Sequence, residues 1–214
     1  WLHLYEPHDP YEPPEPYASK FRARPYDGEV ALADDLLGRL DAAPARLRLT
    51  DDTAREEDPA FSPDGDRLAF TRWNPSSGEP EILVVPTLGG EARPILESAQ
   101  APAWSPDGSR IACILRRSDG RSALVTIASD GSGQREILTA SADRPFLRAV
   151  DWSPDGASLV VERSQGGMAG ELWLVPSGGG PARCAVQDPP GVGSHSPAFA
   201  GNGRSIVYSS NRGG

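Results

Sequence analysis

The sequence has few of the residues that define disulfide-rich, membrane-spanning or metal-binding proteins. Its two cysteines, Cys113 and Cys184, are too few for a disulfide framework, and we expect no disulfide between them. No run of eighteen apolar residues is present, so no membrane-spanning helix is expected. The chain opens on Trp1, with no charged and apolar leader sequence after it. The low cysteine content and the lack of a long apolar run predict a protein that is stabilised by a hydrophobic core, without a disulfide framework, and that does not insert into a membrane.

Positive charge is also scarce. The chain has 21 Lys and Arg residues against 30 Asp and Glu residues, which gives a net charge of −9. Binding to a phosphate backbone needs clustered basic side chains, so nucleic acid is not an expected partner. An anionic membrane surface is excluded for the same reason.

Residues that could bind a metal or perform catalysis occur in no recognised pattern. His3, His8 and His195 do not have a zinc-ligand spacing. The acidic run at 51–58 lacks the offsets and the glycine of a calcium loop, and we expect a solvated loop there. The glycines at 178–180 are followed by a strand pattern, which favours a hairpin turn over a phosphate cradle. No Gly-x-Ser-x-Gly nucleophile elbow occurs. The sequence therefore predicts no catalytic, cofactor-binding or metal site and no cofactor.

A repeated phrase is the strongest feature of the chain. It consists of an aromatic residue, Ser-Pro-Asp-Gly and a short apolar stretch, and it is centred on Phe61, Trp104 and Trp152, with a degenerate copy at Phe199. The steps between these aromatic residues are 43, 48 and 47 residues. A period near forty with short strands is typical of propeller blades. The sequence predicts an all-β protein, a β-propeller of four-stranded antiparallel blades with about four blades in this chain.

Each Ser-Pro-Asp-Gly segment is predicted to form a type I turn between the first two strands of a blade. Proline presets the backbone angle of the second turn position, and glycine accepts a positive φ. A ring of metal ligands or acids at Asp64, Asp107 and Asp155 is the alternative, but the neighbouring proline and glycine favour turn capping. The aromatic residue before each turn is predicted to be a buried anchor between neighbouring blades.

The repeats divide the chain in two. Residues 58–214 hold the repeats, and the strands of the first blade are predicted at 60–61, 67–73, 81–85 and 92–96. Residues 1–57 are predicted to hold an N-terminal strand at 1–5, an arm rich in Pro and Tyr at 6–17, and outer strands of a blade shared with the C-terminus. Three arrangements stay open: a closed four-bladed ring, a segment of a longer propeller, and a ring built from two chains, which would be a homo-oligomer.

The Trp/Phe-Ser-Pro-Asp-Gly-x-x-Ile/Leu-Ala-Phe repeat resembles the TolB-type, WD40-like β-propeller repeat over about 58–214, and 209–214 resembles that family's loop after the second strand. The resemblance implies a bacterial, periplasmic or otherwise extracytoplasmic scaffold without catalysis of its own. Such a scaffold would bind a protein partner through its loops or its channel mouth. The repeats also resemble the propeller domains of prolyl-oligopeptidase-type serine peptidases, so the alternative is a propeller domain whose catalytic domain is absent from this chain.

Overall fold

The computed structural model describes residues 49–50, 53–164, 170–187 and 192–211. All of them lie in one compact unit, Arg48–Gly214. They form fourteen β-strands and no helix, so no helix among them could span a membrane. The first eight strands are β1 (Arg55–Phe61), β2 (Arg67–Trp73), β3 (Pro80–Pro86), β4 (Arg93–Glu97), β5 (Ala99–Trp104), β6 (Arg110–Arg116), β7 (Ser122–Ala128) and β8 (Arg135–Thr139). The remaining strands are β9 (Phe146–Trp152), β10 (Ser158–Ser164), β11 (Gly170–Pro176), β12 (Arg183–Val186), β13 (Ser194–Phe199) and β14 (Ile206–Ser210).

The strands form sheets of four in chain order. Strands β1 to β4, β5 to β8 and β9 to β12 are three antiparallel four-stranded sheets, which we name blades 1, 2 and 3. Strands β13 and β14 form a two-stranded sheet, named the half-blade. Consecutive blades pack through their first strands, so β1, β5, β9 and β13 are the inner strands. The prediction of an all-β propeller with four-stranded antiparallel blades is confirmed.

The repeated turns have the geometry that the sequence predicts. In each one the glycine N–H donates to the carbonyl three residues earlier at 2.8 Å, and this holds also for the degenerate fourth copy, where Gly203 donates to Ala200. Gly108 has a φ of 68°, a left-handed value that a residue with a Cβ rarely adopts. The turns all lie at one end of the blades, which we name the turn end. The opposite end, where β2 finishes at Trp73 and β6 at Arg116, is named the mouth end.

The acidic run belongs to a strand, and the expectation of a solvated loop there was wrong. Glu56, Glu57 and Asp58 lie within β1, and Asp51 and Asp52 lie outside the described residues. Cross-strand contacts account for the strand, because the Trp73 indole donates to Glu57 at 2.9 Å and the Thr71 hydroxyl to Asp58 at 3.0 Å. β1 thus continues across the division predicted between 57 and 58.

The two tryptophans of the repeat anchor each blade on the one before it. Trp104 and Trp152 are each only 8% exposed. The Trp104 indole N–H donates to the carbonyl of Ala60 at 3.0 Å, and the Trp152 indole N–H donates to the carbonyl of Ala103 at 3.1 Å. Ala60 and Ala103 hold the same position in blades 1 and 2, directly before the aromatic residue. The blade-to-blade contact is therefore repeated, and the anchoring prediction is confirmed for both tryptophans.

Phe61 and Phe199 differ from the tryptophans. Phe61 is 66% exposed, so the prediction that it is buried was wrong. The physical reason is its place in the stack, because within residues 53–164, 170–187 and 192–211 no blade precedes blade 1. Phe199 is half-buried, and its backbone N–H donates to Asp151 of blade 3 at 2.7 Å. The half-blade thus also contacts the blade before it through the aromatic position.

Three predictions for the N-terminal part concern residues outside the described ones. These are the strand at 1–5, the arm at 6–17 and the outer strands of a shared blade. Closure of the ring through those strands stays a prediction.

We expect truncation of the anchors to destabilise the fold according to their burial. Trp104→Ala and Trp152→Ala should each lower the free energy of unfolding by about 3–5 kcal/mol, because each removes a buried aromatic side chain. Phe61→Ala, at the equivalent but exposed position, should change it by no more than about 0.5 kcal/mol. Urea denaturation of the three variants measures the difference, and equal losses at all three positions would contradict the anchoring role.

Candidate functional site

The repeated aspartates cap turns. Ser105 donates to the Asp107 carboxylate at 2.6 Å, and the backbone N–H of Ser109 donates to it at 3.0 Å. Asp64 and Asp155 have the same two kinds of contact. The serine hydrogen bond, followed by the backbone one, lowers the pKa of Asp107 to about 2 and lowers the pKa of Asp64 and Asp155 as well. Each of these carboxylates caps its own turn, as the turn-capping interpretation predicts.

His195 and the glycines at 178–180 both have structural roles. His195 Nδ1 lies 3.0 Å from the Oε1 atom of the buried Glu162, so the pair joins the half-blade to blade 3. His3 and His8 lie outside the described residues. Within the part of the chain that is described, no group of three or more His, Cys, Asp or Glu side chains could hold a metal ion. The glycines at 178–180 lie in the turn between β11 and β12, where the Gly179 N–H donates to Pro176 at 2.9 Å.

Both cysteines are free thiols. Cys113 is buried on β6, and this burial raises its pKa to about 12. Cys184 is exposed on β12, and its pKa is raised by partial burial and by the nearby Glu171 carboxylate. Neither thiol has the lowered pKa of a reactive cysteine.

A large cleft of about 680 Å³ lies at the turn end between blades 2 and 3. Both arginines that line this cleft already donate hydrogen bonds within the chain. The Arg110 guanidinium donates to the Thr126 hydroxyl at 3.1 Å and to the Gly133 carbonyl at 2.7 Å, and the Arg135 guanidinium donates to the Gly178 carbonyl. Since these groups stabilise the turns around them, we regard this cleft as a structural groove between blades.

A second cavity, of about 400 Å³, lies at the mouth end where the inner strands of blades 1, 2 and 3 begin. We name it the mouth cavity. It combines aromatic side chains, carboxylates and guanidinium groups, and its lining residues are Glu57, Asp58, Trp73, Gln100, Ala101, Arg116, Ser122, Phe146, Leu147, Arg148 and Ala149.

An insertion brings part of this lining into place. The connection between β8 and β9 spans residues 140–145, whereas Ser98 alone connects β4 to β5. This longer connection accounts for the repeat step of 48 residues in place of 43. Phe146 directly follows the insertion as the first residue of β9, and its side chain is 39% exposed.

The inserted connection is fixed on both sides. Towards blade 2, the Ser122 N–H donates to Pro145 at 2.8 Å, and the Ala140 N–H donates to the Ser122 carbonyl at 2.9 Å. Towards blade 3, Arg144 pairs with Glu171 at 3.1 Å, and the Arg163 guanidinium donates to the Ser141 hydroxyl. The position of Phe146 at the mouth is therefore set by contacts with two blades.

Trp73 contributes a second aromatic surface. Its indole N–H donates to Glu57 at 2.9 Å. The guanidinium carbons of Arg55 and Arg116 lie 5.6 and 5.9 Å from the ring centroid, within the range of cation–π attraction. These contacts hold the ring at the junction of blades 1 and 2.

Among the mouth-cavity residues, Glu57 and Asp58 belong to the acidic run singled out in the sequence, but the aromatic and arginine residues were not singled out. Trp73, Phe146, Arg116 and Arg148 lie outside the repeated phrase, so the repeat does not mark them. The second and third repeat steps, of 48 and 47 residues, are both longer than the first step of 43, and the second could have pointed to this region, because inserted residues in a repeat map to loops on one face. Even so, the step alone does not show at which end of the blade the extra residues lie.

Comparisons with known proteins agree with the fold. No protein-family model matches the chain. It is 29% identical over 174 residues to tricorn protease homolog 2 of Streptomyces coelicolor, a match that covers 68% of this chain and 14% of that protein. It is 33% identical over 117 residues to the uncharacterized peptidase YuxL of Bacillus subtilis, covering 51% of this chain and 17% of that protein. The chain thus matches only a small part of the length of both relatives.

A solved structure shows the same architecture. A TolB protein from Agrobacterium tumefaciens superposes with a TM-score of 0.63 at 22% identity, over 73% of this chain and 54% of that chain. The chain therefore has a TolB-like β-propeller fold, and the resemblance drawn from the repeat is confirmed.

The lowered pKa of Asp107 leads to a pH prediction. The folded state binds this proton more weakly than the unfolded state, where the ordinary value is 3.8. The carboxylate therefore stabilises the fold above about pH 4, and this contribution is lost as the pH falls towards about 2. We expect the difference in free energy of unfolding between the parent chain and Asp107→Asn to be widest at neutral pH. It should narrow as the pH falls from about 4 to about 2.

Urea denaturation at a series of pH values measures this difference. Leu88→Ala, which removes an exposed side chain without a titratable group, is the control and should give a difference that does not change with pH. A constant or widening difference for Asp107→Asn at low pH would show that the carboxylate does not stabilise the turn.

Proposed function

We propose that the chain is a propeller module without chemistry of its own, which binds an extended polypeptide segment at the mouth cavity. The observation that carries the proposal is the composition of that cavity. The exposed ring of Phe146 and the half-buried ring of Trp73 line this cavity together with Arg116 and Arg148. Aromatic and arginine side chains are the residues most enriched where proteins bind one another.

The position of the cavity supports the same function. It lies where three blades meet, and binding residues are commonly carried on connections held by a rigid scaffold. The connection at 140–145 leads directly into Phe146, and contacts with Ser122, Glu171 and Arg163 hold it in place. A preformed surface of this kind binds without a large ordering cost.

The second candidate is the propeller domain of a larger peptidase. It is favoured by the names of the two curated relatives, a tricorn protease homolog and a peptidase, at 29% and 33% identity. Here the mouth cavity would receive a substrate segment while a separate domain of the same polypeptide cleaves it. Reading the full coding frame tests this candidate: a Gly-x-Ser-x-Gly elbow with later Asp and His residues supports it, and a complete frame without them contradicts it.

The two candidates also differ in where the protein would act. With the first candidate we propose an extracytoplasmic, bacterial location, which rests on the TolB-type resemblance. The peptidase candidate carries no such expectation. Fractionation of the native cells, with antibodies to the chain, separates the two locations.

We expect binding to depend on the aromatic surface at the mouth end. An array of immobilised short peptides is probed with the labelled parent chain and with Phe146→Ala, which removes the exposed ring. Binding to the peptides retained by the parent chain should fall about tenfold, as for truncation of an aromatic contact residue.

Leu88→Ala is the matched control for this experiment. Leu88 is 91% exposed and lies between β3 and β4 at the turn end, so its truncation removes apolar surface away from the cavity. It should leave peptide binding unchanged. No retained peptide, or binding that is lost in Leu88→Ala and kept in Phe146→Ala, would overturn the proposed site.

A further inference from the structure

We propose that Arg148 is the anchor for a carboxylate of the bound polypeptide, with Phe146 and Trp73 receiving the apolar residue beside that carboxylate. The inference rests on the proposed function and adds to it the chemical class of the ligand. It follows from which charged groups of the mouth cavity are already paired and which are not.

The two carboxylates that line the cavity already accept hydrogen bonds from other side chains of this protein. Glu57 accepts hydrogen bonds from the Trp73 indole and from the Arg55 guanidinium. Asp58 accepts a hydrogen bond from the Thr71 hydroxyl at 3.0 Å. These carboxylates are therefore poorly placed to bind a positively charged ligand, because such a ligand would have to displace contacts that already exist.

Arg148 differs from the other arginines of the mouth end. Its side chain is exposed and lines the cavity, and it has no ion pair or hydrogen bond within the described residues. The neighbouring arginines each have a carboxylate partner; the pairs are Arg55 with Glu57, Arg116 with Glu79, Arg117 with Glu136, Arg121 with Asp119 and Arg144 with Glu171. In a chain of net charge −9, an unpaired guanidinium in a cavity is a group left available for a ligand.

The chemistry of the guanidinium selects the ligand. Its planar donors match the two oxygens of a carboxylate, which they can bind in a bidentate manner. The adjacent aromatic side chains favour an apolar residue next to that carboxylate, since Phe146 offers an exposed ring and Trp73 a ring held in place. The carboxylate could belong to an Asp or Glu side chain or to the C-terminus of a polypeptide, and both sources share this chemistry.

Four labelled peptides separate the two sources. Two have blocked ends and a Phe next to either Glu or Gln; the other two have a Phe at the C-terminal end, which is either a free carboxylate or an amide. Binding is measured by fluorescence anisotropy and by the shift of the Trp73 indole N–H resonance, assigned with Trp73→Phe. We expect about tenfold tighter binding of a carboxylate peptide than of its neutral twin, and a smaller preference at high salt.

Arg148→Gln should abolish this preference, so that each carboxylate peptide binds no more tightly than its neutral twin. Arg148→Lys, which keeps the charge but loses the bidentate geometry, should give an intermediate preference. Arg93→Gln is the matched control, since it makes the same change at an exposed arginine of β4 at the turn end, and it should keep the full preference. Unchanged melting temperatures confirm that the variants are folded.

The outcomes separate the two proposals. A preference for Glu over Gln identifies a side-chain carboxylate, a preference for the free end identifies a C-terminus, and either supports the inference if Arg148→Gln removes it. Equal binding of carboxylate and neutral peptides, or a preference that survives in Arg148→Gln, overturns the carboxylate anchor while the proposed function stands. If no peptide binds or shifts the Trp73 resonance, the proposed function fails together with the inference.

Discussion

The contact between consecutive blades is the interaction on which the rest of the structure depends. A four-stranded sheet exposes two faces, and it becomes stable only when those faces are covered by neighbours. Trp104 and Trp152 provide this cover, and each also satisfies its buried indole N–H on a carbonyl of the preceding blade. Because the donor and acceptor recur at equivalent positions, the contact fixes the rotation from one blade to the next. The exposed Phe61 shows the same position without such cover.

The two ends of the blades are built on different principles. At the turn end the same serine, aspartate and glycine contacts recur in each complete blade, so the blades of this chain have nearly the same structure at that end. At the mouth end the equivalent residues differ. Thr71 accepts a hydrogen bond from the Ala101 N–H, whereas Glu162, at the same place in the second strand of blade 3, contacts His195. The contacts between blades at this end vary in chemistry, and a site specific to this chain can develop there.

The mouth cavity depends on an irregularity within the repeat. The connection at 140–145 lengthens one blade step and introduces Phe146 at the start of an inner strand. Its anchoring to Ser122 on one side and to Glu171 and Arg163 on the other makes it a fixed part of the scaffold. The site thus combines strand residues, which supply its aromatic surface, with an inserted connection, which holds the start of β9 in place.

The all-β propeller class, the strand pairs around each Ser-Pro-Asp-Gly turn and the burial of the two tryptophans could all be predicted from the sequence. These features follow from local turn chemistry and from a repeat that can be read directly along the chain. Three features could not be predicted in this way: Glu56, Glu57 and Asp58 form a strand, Phe61 is exposed, and Arg148 lies in a cavity without a side-chain partner among the described residues. The physical reason is that pairing with β2, cover by a neighbouring blade and the convergence of three blades are contacts between distant residues, which no local pattern records.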